Sequence, residues 1–278
     1  MHRTGLILVT TAALAWSTSG LFTRSLALDA ATFLFWRGAF GGLGLLVLLA
    51  CMPATGGLAS LRALRGPGLA YAAVTAVSMV LFVSALLTTS VAHVAVLTAT
   101  VPFVAGALGW VLLRERPARS AVIASLAALA GVAVMVGLGA DGTWTGDVLA
   151  MLMAACMGGM IPIARRHPDI PALAATCVAS ALGALVMLPF ATLGIGWADM
   201  AMLALFALVN QVLGFGAFAV GARYLPPMET ALLTALDAPL APLWVWLVLS
   251  ETPTRATLAG GAIVMVAVLA HIARGARS

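Results

Sequence analysis

Lysine is absent from all 278 residues, and the four charged types together supply only 8% of the chain. Without a lysine there is no Walker A lysine, which excludes a pump driven by ATP through a P-loop. Histidine is scarce too: His2, His93, His167 and His271 are scattered, with no HExxH pair and no accompanying acid motif. The three cysteines, Cys51, Cys156 and Cys177, stand singly in or beside apolar runs, without metal-ligand spacing or a paired framework. They read as small hydrophobes. No metal, no cofactor and no nucleic acid is expected, and an enzyme would need a convergent acid/base set that is missing.

What the chain has is apolar length. Hydrophobic residues make up 63% of it and the mean hydropathy is +1.13, more than a water-soluble fold hides, so the chain is an integral membrane protein whose first partner is the lipid bilayer. A spanning helix needs about 20 mostly apolar residues. Cutting at charge, proline and glycine clusters gives ten segments, at 5–26, 31–51, 67–88, 91–113, 119–139, 146–164, 171–195, 198–222, 227–249 and 255–273. The first run exceeds a secretory h-region and further spans follow at once, so it is read as a retained helix.

One stretch occurs twice. Ala92–Pro117 returns in degenerate form as Met228–Pro253 at an offset of 136, aligning Leu97, Thr98, Trp110 and Glu115 with Leu233, Thr234, Trp246 and Glu251. Each copy is an apolar run broken near its middle by proline and closed by a glutamate before a Pro-containing turn. All 14 basic residues are arginine; with ten spans, eleven fall on one side and Arg24, Arg37 and Arg255 on the other. The excess marks the cytoplasmic side and puts both termini there. Each half then holds an odd number of helices, five, so the second copy enters inverted. A second match, Gly5–Arg24 against Gly146–Arg165 at offset 141, is inverted in the same way. The expected fold is all-α, ten transmembrane helices in two inverted five-helix repeats, 1–140 and 141–278. Inverted repeats are the recurrent build of secondary transporters, with a site near the bilayer midplane.

This order of features resembles the drug/metabolite transporter superfamily, in particular its EamA-type exporters. The residues that carry the likeness are Gly5 and Trp16 at the G-x(10)-W opening, Gly146 and Asp147 at the start of the sixth span, and the twin Pro-then-Glu helices. One departure is Met157, which stands where the first half has Trp16. The resemblance implies export of neutral or aromatic amino acids and similar small metabolites across the inner membrane by alternating access. Other drugs or metabolites, and a sensor or scaffold that does not transport, are the competing readings.

Candidate site residues follow from position. Aligned at offset 136, Thr75, Met79 and Phe82 of the third span match Gln211, Phe215 and Phe218 of the eighth, each an i, i+4, i+7 stripe. Facing stripes would wall an apolar cavity for a neutral or aromatic solute; ordinary helix packing is the competing reading for each. Asn210 and Gln211 lie mid-span and must face the bundle, as interhelical bonds or as solute contacts. Asp237, mid-span beside Pro239, is matched by Val101, so the fold does not need the acid in both copies. An intramembrane carboxylate costs about 3 kcal/mol, which sets a solute ammonium or a coupled proton against a structural hydrogen bond. Trp16 is suited to stacking on a substrate ring or to core packing. Arg37 is expected to snorkel to the headgroups, with a substrate carboxylate as the alternative. Glu115 and Glu251 are corner residues for nearby arginines. Pro102, Pro162, Pro239 and Pro242 are hinge candidates or static kinks.

Overall fold

The computed structural model describes residues 2–26, 28–51, 57–89, 91–136, 143–250 and 252–275. Glu251 and the expected boundary at 140/141 lie outside the described residues. In hydrocarbon the backbone must satisfy its own polar groups, and long apolar runs do so as helices. In chain order these are α1 (His2–Ser17), α2 (Ser19–Ser25), α3 (Ala30–Cys51), the short α4 (Ala59–Arg62), α5 (Pro67–Thr88), α6 (Val91–Thr98), α7 (Val101–Leu113), α8 (Arg119–Val136), α9 (Trp144–Arg166), α10 (Ala172–Met187), α11 (Trp197–Ala207), α12 (Gly216–Gly221), α13 (Pro227–Thr234), α14 (Asp237–Leu249) and α15 (Arg255–Gly275). A π-helical segment, Leu208–Phe215, joins α11 to α12.

Among the described residues, eight helices are long and apolar enough to cross a membrane, against ten expected. The other two expected spans are the first and the third. The first is divided into α1 and α2 about Thr18, where Ser17, Thr18 and Ser19 each donate a hydroxyl to the carbonyl three residues back, at 2.7, 2.6 and 2.6 Å. Such bonds compete with the helix ladder. The third is α5, whose described apolar stretch is Pro67–Phe82.

The duplicated stretch folds as two broken helices with matching landmarks. α6 and α7 part at Ala99–Thr100, α13 and α14 at Ala235–Leu236, and all four elements begin and end at the same offset, 136. Proline explains both breaks: Pro102 and Pro239 cannot donate to Thr98 and Ala235, four residues back. The C-caps repeat as well, with Arg114 at φ 58° and Ser250 at φ 57°, both left-handed. Glycine contacts recur in parallel. A Cβ on Gly146 would lie 2.4 Å from Cβ of Thr89, and one on Gly5 would lie 2.9 Å from Cγ of Leu225. Each helix opening of one half is thus pressed against the link into the broken helix of the other.

Large apolar side chains cover the outside. Ile7, Val111 and Val266 are about two-thirds exposed or more, as lipid-facing positions require. Trp144 and Trp197, at the starts of α9 and α11, are 84% and 86% exposed, as in an interfacial aromatic belt. Glu115 is a corner residue: it accepts from Arg165 at 2.9 Å while Arg166 donates to the Leu112 carbonyl at 2.7 Å.

Candidate functional site

The π-helical segment is wedged between α1 and α3 because glycines let it in. A Cβ at Gly41 would stand 2.6 Å from Cγ of Gln211, one at Gly44 2.6 Å from Val212, and one at Gly214 2.7 Å from the Trp16 indole nitrogen. This packing turns Asn210 and Gln211 inward, 2% and 1% exposed. π-helical turns are frequent at functional sites.

Arg37 meets this segment from α3. Its guanidinium donates to Gln211 Oε1 at 3.4 Å and lies 5.8 and 5.9 Å from the ring centroids of Phe206 and Phe215. The expected snorkelling therefore gives way to an inward cation held by ring quadrupoles. Among the described residues Arg37 Nε is buried without a hydrogen-bond partner. Gln211 Nε2 in turn donates to Ser180 Oγ of α10 at 3.3 Å. These groups, with Leu34, Met79 and Met187, line a cleft of about 10 Å³. That is room for about one water molecule.

An aromatic group abuts the cation. Trp16 packs between Phe215 and Phe218, centroids 4.8 and 5.2 Å away, and donates its indole N–H to the Asn210 carbonyl at 3.2 Å. The Asn210 side chain donates to the Ala15 carbonyl at 2.9 Å and to Ser19 Oγ at 3.0 Å, tying the π-helical segment to α1.

The structure therefore brings Met79 and Gln211 to one cleft and Trp16, Asn210, Phe215 and Phe218 to its flank. Thr75 is buried and bonded to the Tyr71 carbonyl within its own helix at 2.8 Å. Phe82 packs with Ala85, Val94 and Met153 in a separate apolar cluster. Asp237 heads α14, half-buried and outside the cleft lining. Pro102 and Pro239 follow the two helix breaks, whereas Pro162 and Pro242 lie inside α9 and α14. Arg37, Ser180 and Phe206 belong to the site although the sequence stripes omit them. For Arg37 a signal existed: at i, i+4, i+7 it shares a helix face with Gly41 and Gly44, and a small-residue face meets another helix, not lipid.

The profile of the EamA-like transporter family matches residues 3–137 and again residues 144–272. No curated protein matches the chain. Among solved structures 28 chains match. One of them, a crystal structure, superposes over 99% of this chain and 99% of its own with a TM-score of 0.82 at 22% identity, which speaks for the fold.

Proposed function

The chain belongs to the EamA-like transporter family, a family of membrane transporters for small solutes without enzymatic activity, and from that premise we propose that it exports neutral or aromatic amino acids by alternating access. The observation that carries the reading is Arg37: a cation inside the bundle, against two phenylalanine rings, with one nitrogen unpartnered. A guanidinium in that setting suits a solute carboxylate, and the adjoining Trp16, Phe215 and Phe218 suit an apolar or aromatic side chain. The narrower likeness, to the aromatic amino-acid exporter YddG, agrees with this aromatic wall.

We read the cleft as closed. About 10 Å³ holds no amino acid, so loading requires the π-helical segment and α3, α5 and α10 to separate. In the opened form we assign the ammonium group to Asp237, at the break between α13 and α14. The recurring breaks, caps and glycine contacts support ten spans in two inverted units, 1–140 and 141–278, with Pro102 and Pro239 at their hinges. The arginine distribution supports an inner-membrane orientation with cytoplasmic termini.

Proteoliposome flux tests the reading with three probes of one ring: phenylalanine, 2-phenylethylamine without the carboxylate, and 3-phenylpropanoate without the amine. Phenylalanine is expected to move, and Arg37→Ala to abolish that movement in folded protein. Equal flux of 2-phenylethylamine, or full phenylalanine flux in Arg37→Ala, overturns the amino-acid assignment and points to cationic drugs or other metabolites.

A further inference from the structure

Apart from the cleft at Arg37, the bundle holds a cavity of about 320 Å³ where α7 ends and α13 begins. Glycines let the two helices meet beneath it. A Cβ on Gly109 would stand 2.9 Å from Cγ of Pro227, and one on Gly106 would stand 3.1 Å from Sδ of Met228. Gly106 is about two turns inside the end of α7 at Leu113, so the cavity reaches from the helix end into the bundle. Its apolar lining comes from Gly106, Gly109, Ala121, Pro227 and Met228.

The polar lining is Glu115, Arg116, Glu229 and His271. Of the two acids, Glu115 is taken by Arg165 at 2.9 Å. Glu229 is differently placed. It is 8% exposed, and the imidazole nitrogens beside it, Nε2 of His2 and Nε2 of His271, stand at 3.4 and 3.8 Å, beyond the roughly 2.7–3.2 Å of a formed N–H···O bond. A buried carboxylate short of donors costs stability, and this one borders open space. Arg116 is exposed and follows the left-handed cap at Arg114, which carries the chain across the helix end. The same cavity thus presents a buried acceptor, a guanidinium fork and an apolar floor.

We propose that this cavity is a loading site for a free, zwitterionic amino acid with an apolar side chain, held by its ammonium group on Glu229, its carboxylate on Arg116 and its side chain on Pro227 and Met228. An ammonium group brings three donors to a carboxylate that only accepts, and a guanidinium pairs with a carboxylate through two parallel bonds. The volume reaches the range of small-molecule sites, about 300 Å³ and upward, which the cleft of about 10 Å³ at Arg37 does not. The inference takes its substrate class from the transport reading and adds a first station at this end; binding itself needs no transport. A phosphatidylethanolamine headgroup carries the same two charges and is the rival occupant.

Equilibrium dialysis of the purified protein in phosphatidylcholine nanodiscs tests the site with phenylalanine, 2-phenylethylamine and 3-phenylpropanoate. Glu229→Gln is expected to weaken phenylalanine and 2-phenylethylamine about tenfold and to leave 3-phenylpropanoate unchanged. Arg116→Gln is expected to weaken phenylalanine and 3-phenylpropanoate and to leave 2-phenylethylamine unchanged. The probe that each variant still binds reports that it is folded, and the arm at exposed Arg116 stands if Glu229→Gln fails to fold. Absence of saturable phenylalanine binding in the wild type overturns the site. So do wild-type affinities for all three probes in both variants, or a loss in Arg116→Gln that ignores which charge the probe carries. Adding phosphatidylethanolamine to the nanodiscs is expected to leave the phenylalanine affinity unchanged; competition by it makes the headgroup the occupant and overturns the loading role. Phenylalanine counterflow separates the two readings: no flux with the probe pattern intact defeats transport alone, and normal flux without the pattern defeats the loading site alone.

Discussion

At the scale of the residue the proposed chemistry rests on Arg37, where charge and shape act together. A planar guanidinium lies over two rings and reaches Gln211, whereas a lysine ammonium is a compact, strongly hydrated point without the fork. Arg37→Lys keeps the charge and is therefore expected to leave transport detectable while raising the apparent KM for phenylalanine about tenfold, roughly 1.4 kcal/mol. Counterflow at graded phenylalanine concentrations checks this, and an unchanged KM would mean that the guanidinium serves only packing. Asp29 is a second residue whose role is local. It accepts from the Thr32 backbone N–H at 2.9 Å and from Thr32 Oγ1 at 2.6 Å, and these bonds hold its carboxyl below the usual carboxylate range. The lowered value makes its contribution to folding present above its unfolded value and lost as pH falls through the folded one. Asp29→Ala removes the cap of α3 at a cost of about 1 kcal/mol, read as a lower unfolding midpoint at pH 7 and a smaller difference in acid. Gln211 was legible as an interior group because a mid-span amide has nowhere else to go. Phe82 was not, since the stripe gives its helix face and nothing about which neighbour that face meets.

Among the elements, the broken helices could be read from sequence and the π-helical segment could not. Proline removes a donor wherever it stands, so Pro102 and Pro239 announce their breaks without help from the surroundings. The widened turn at Leu208–Phe215 depends on Gly41 and Gly44 of α3 and Gly214 of the segment itself, which let side chains approach to 2.6–2.7 Å of where a Cβ would be. That is tertiary information. The same contacts set an order of tolerance. A methyl on Gly146 meets Thr89 at 2.4 Å and its backbone nitrogen at 2.7 Å, whereas one on Gly5 meets side-chain atoms of Leu225 and Tyr224 at 2.9 Å. The Gly146 contacts are the closer ones and include backbone atoms, so Gly146→Ala is expected to cost about 2 kcal/mol and Gly5→Ala less. Thermal unfolding of the two purified variants ranks them; a more stable Gly146→Ala would show that the α5–α9 junction yields.

For the whole molecule the question is which end admits solute, and the two cavities answer it unequally. The cleft at Arg37 has about 10 Å³, while the one beside Glu229 has about 320 Å³. A binding cavity of the usual kind holds at least about 300 Å³, so of these two cavities the one beside Glu229 has the space of a solute. Under the proposed alternating access, two halves rocking about one central site do not hold both ends open at once, which would tie the volumes together. Met187 lines the small cleft and Pro117 the large one, both half-buried, and each can report its end as a cysteine. Native Cys51 is exposed and Cys156 half-buried, so the background must first lose its three cysteines. A membrane-impermeant maleimide is then expected to label Pro117→Cys rapidly and Met187→Cys slowly in empty proteoliposomes. Saturating phenylalanine is expected to shift the population toward the opposite opening, so that one rate falls as the other rises, because the two populations sum to one. Rates that change independently would break the link between the ends, and the EamA-like chain would then conduct solute by a route other than alternating access.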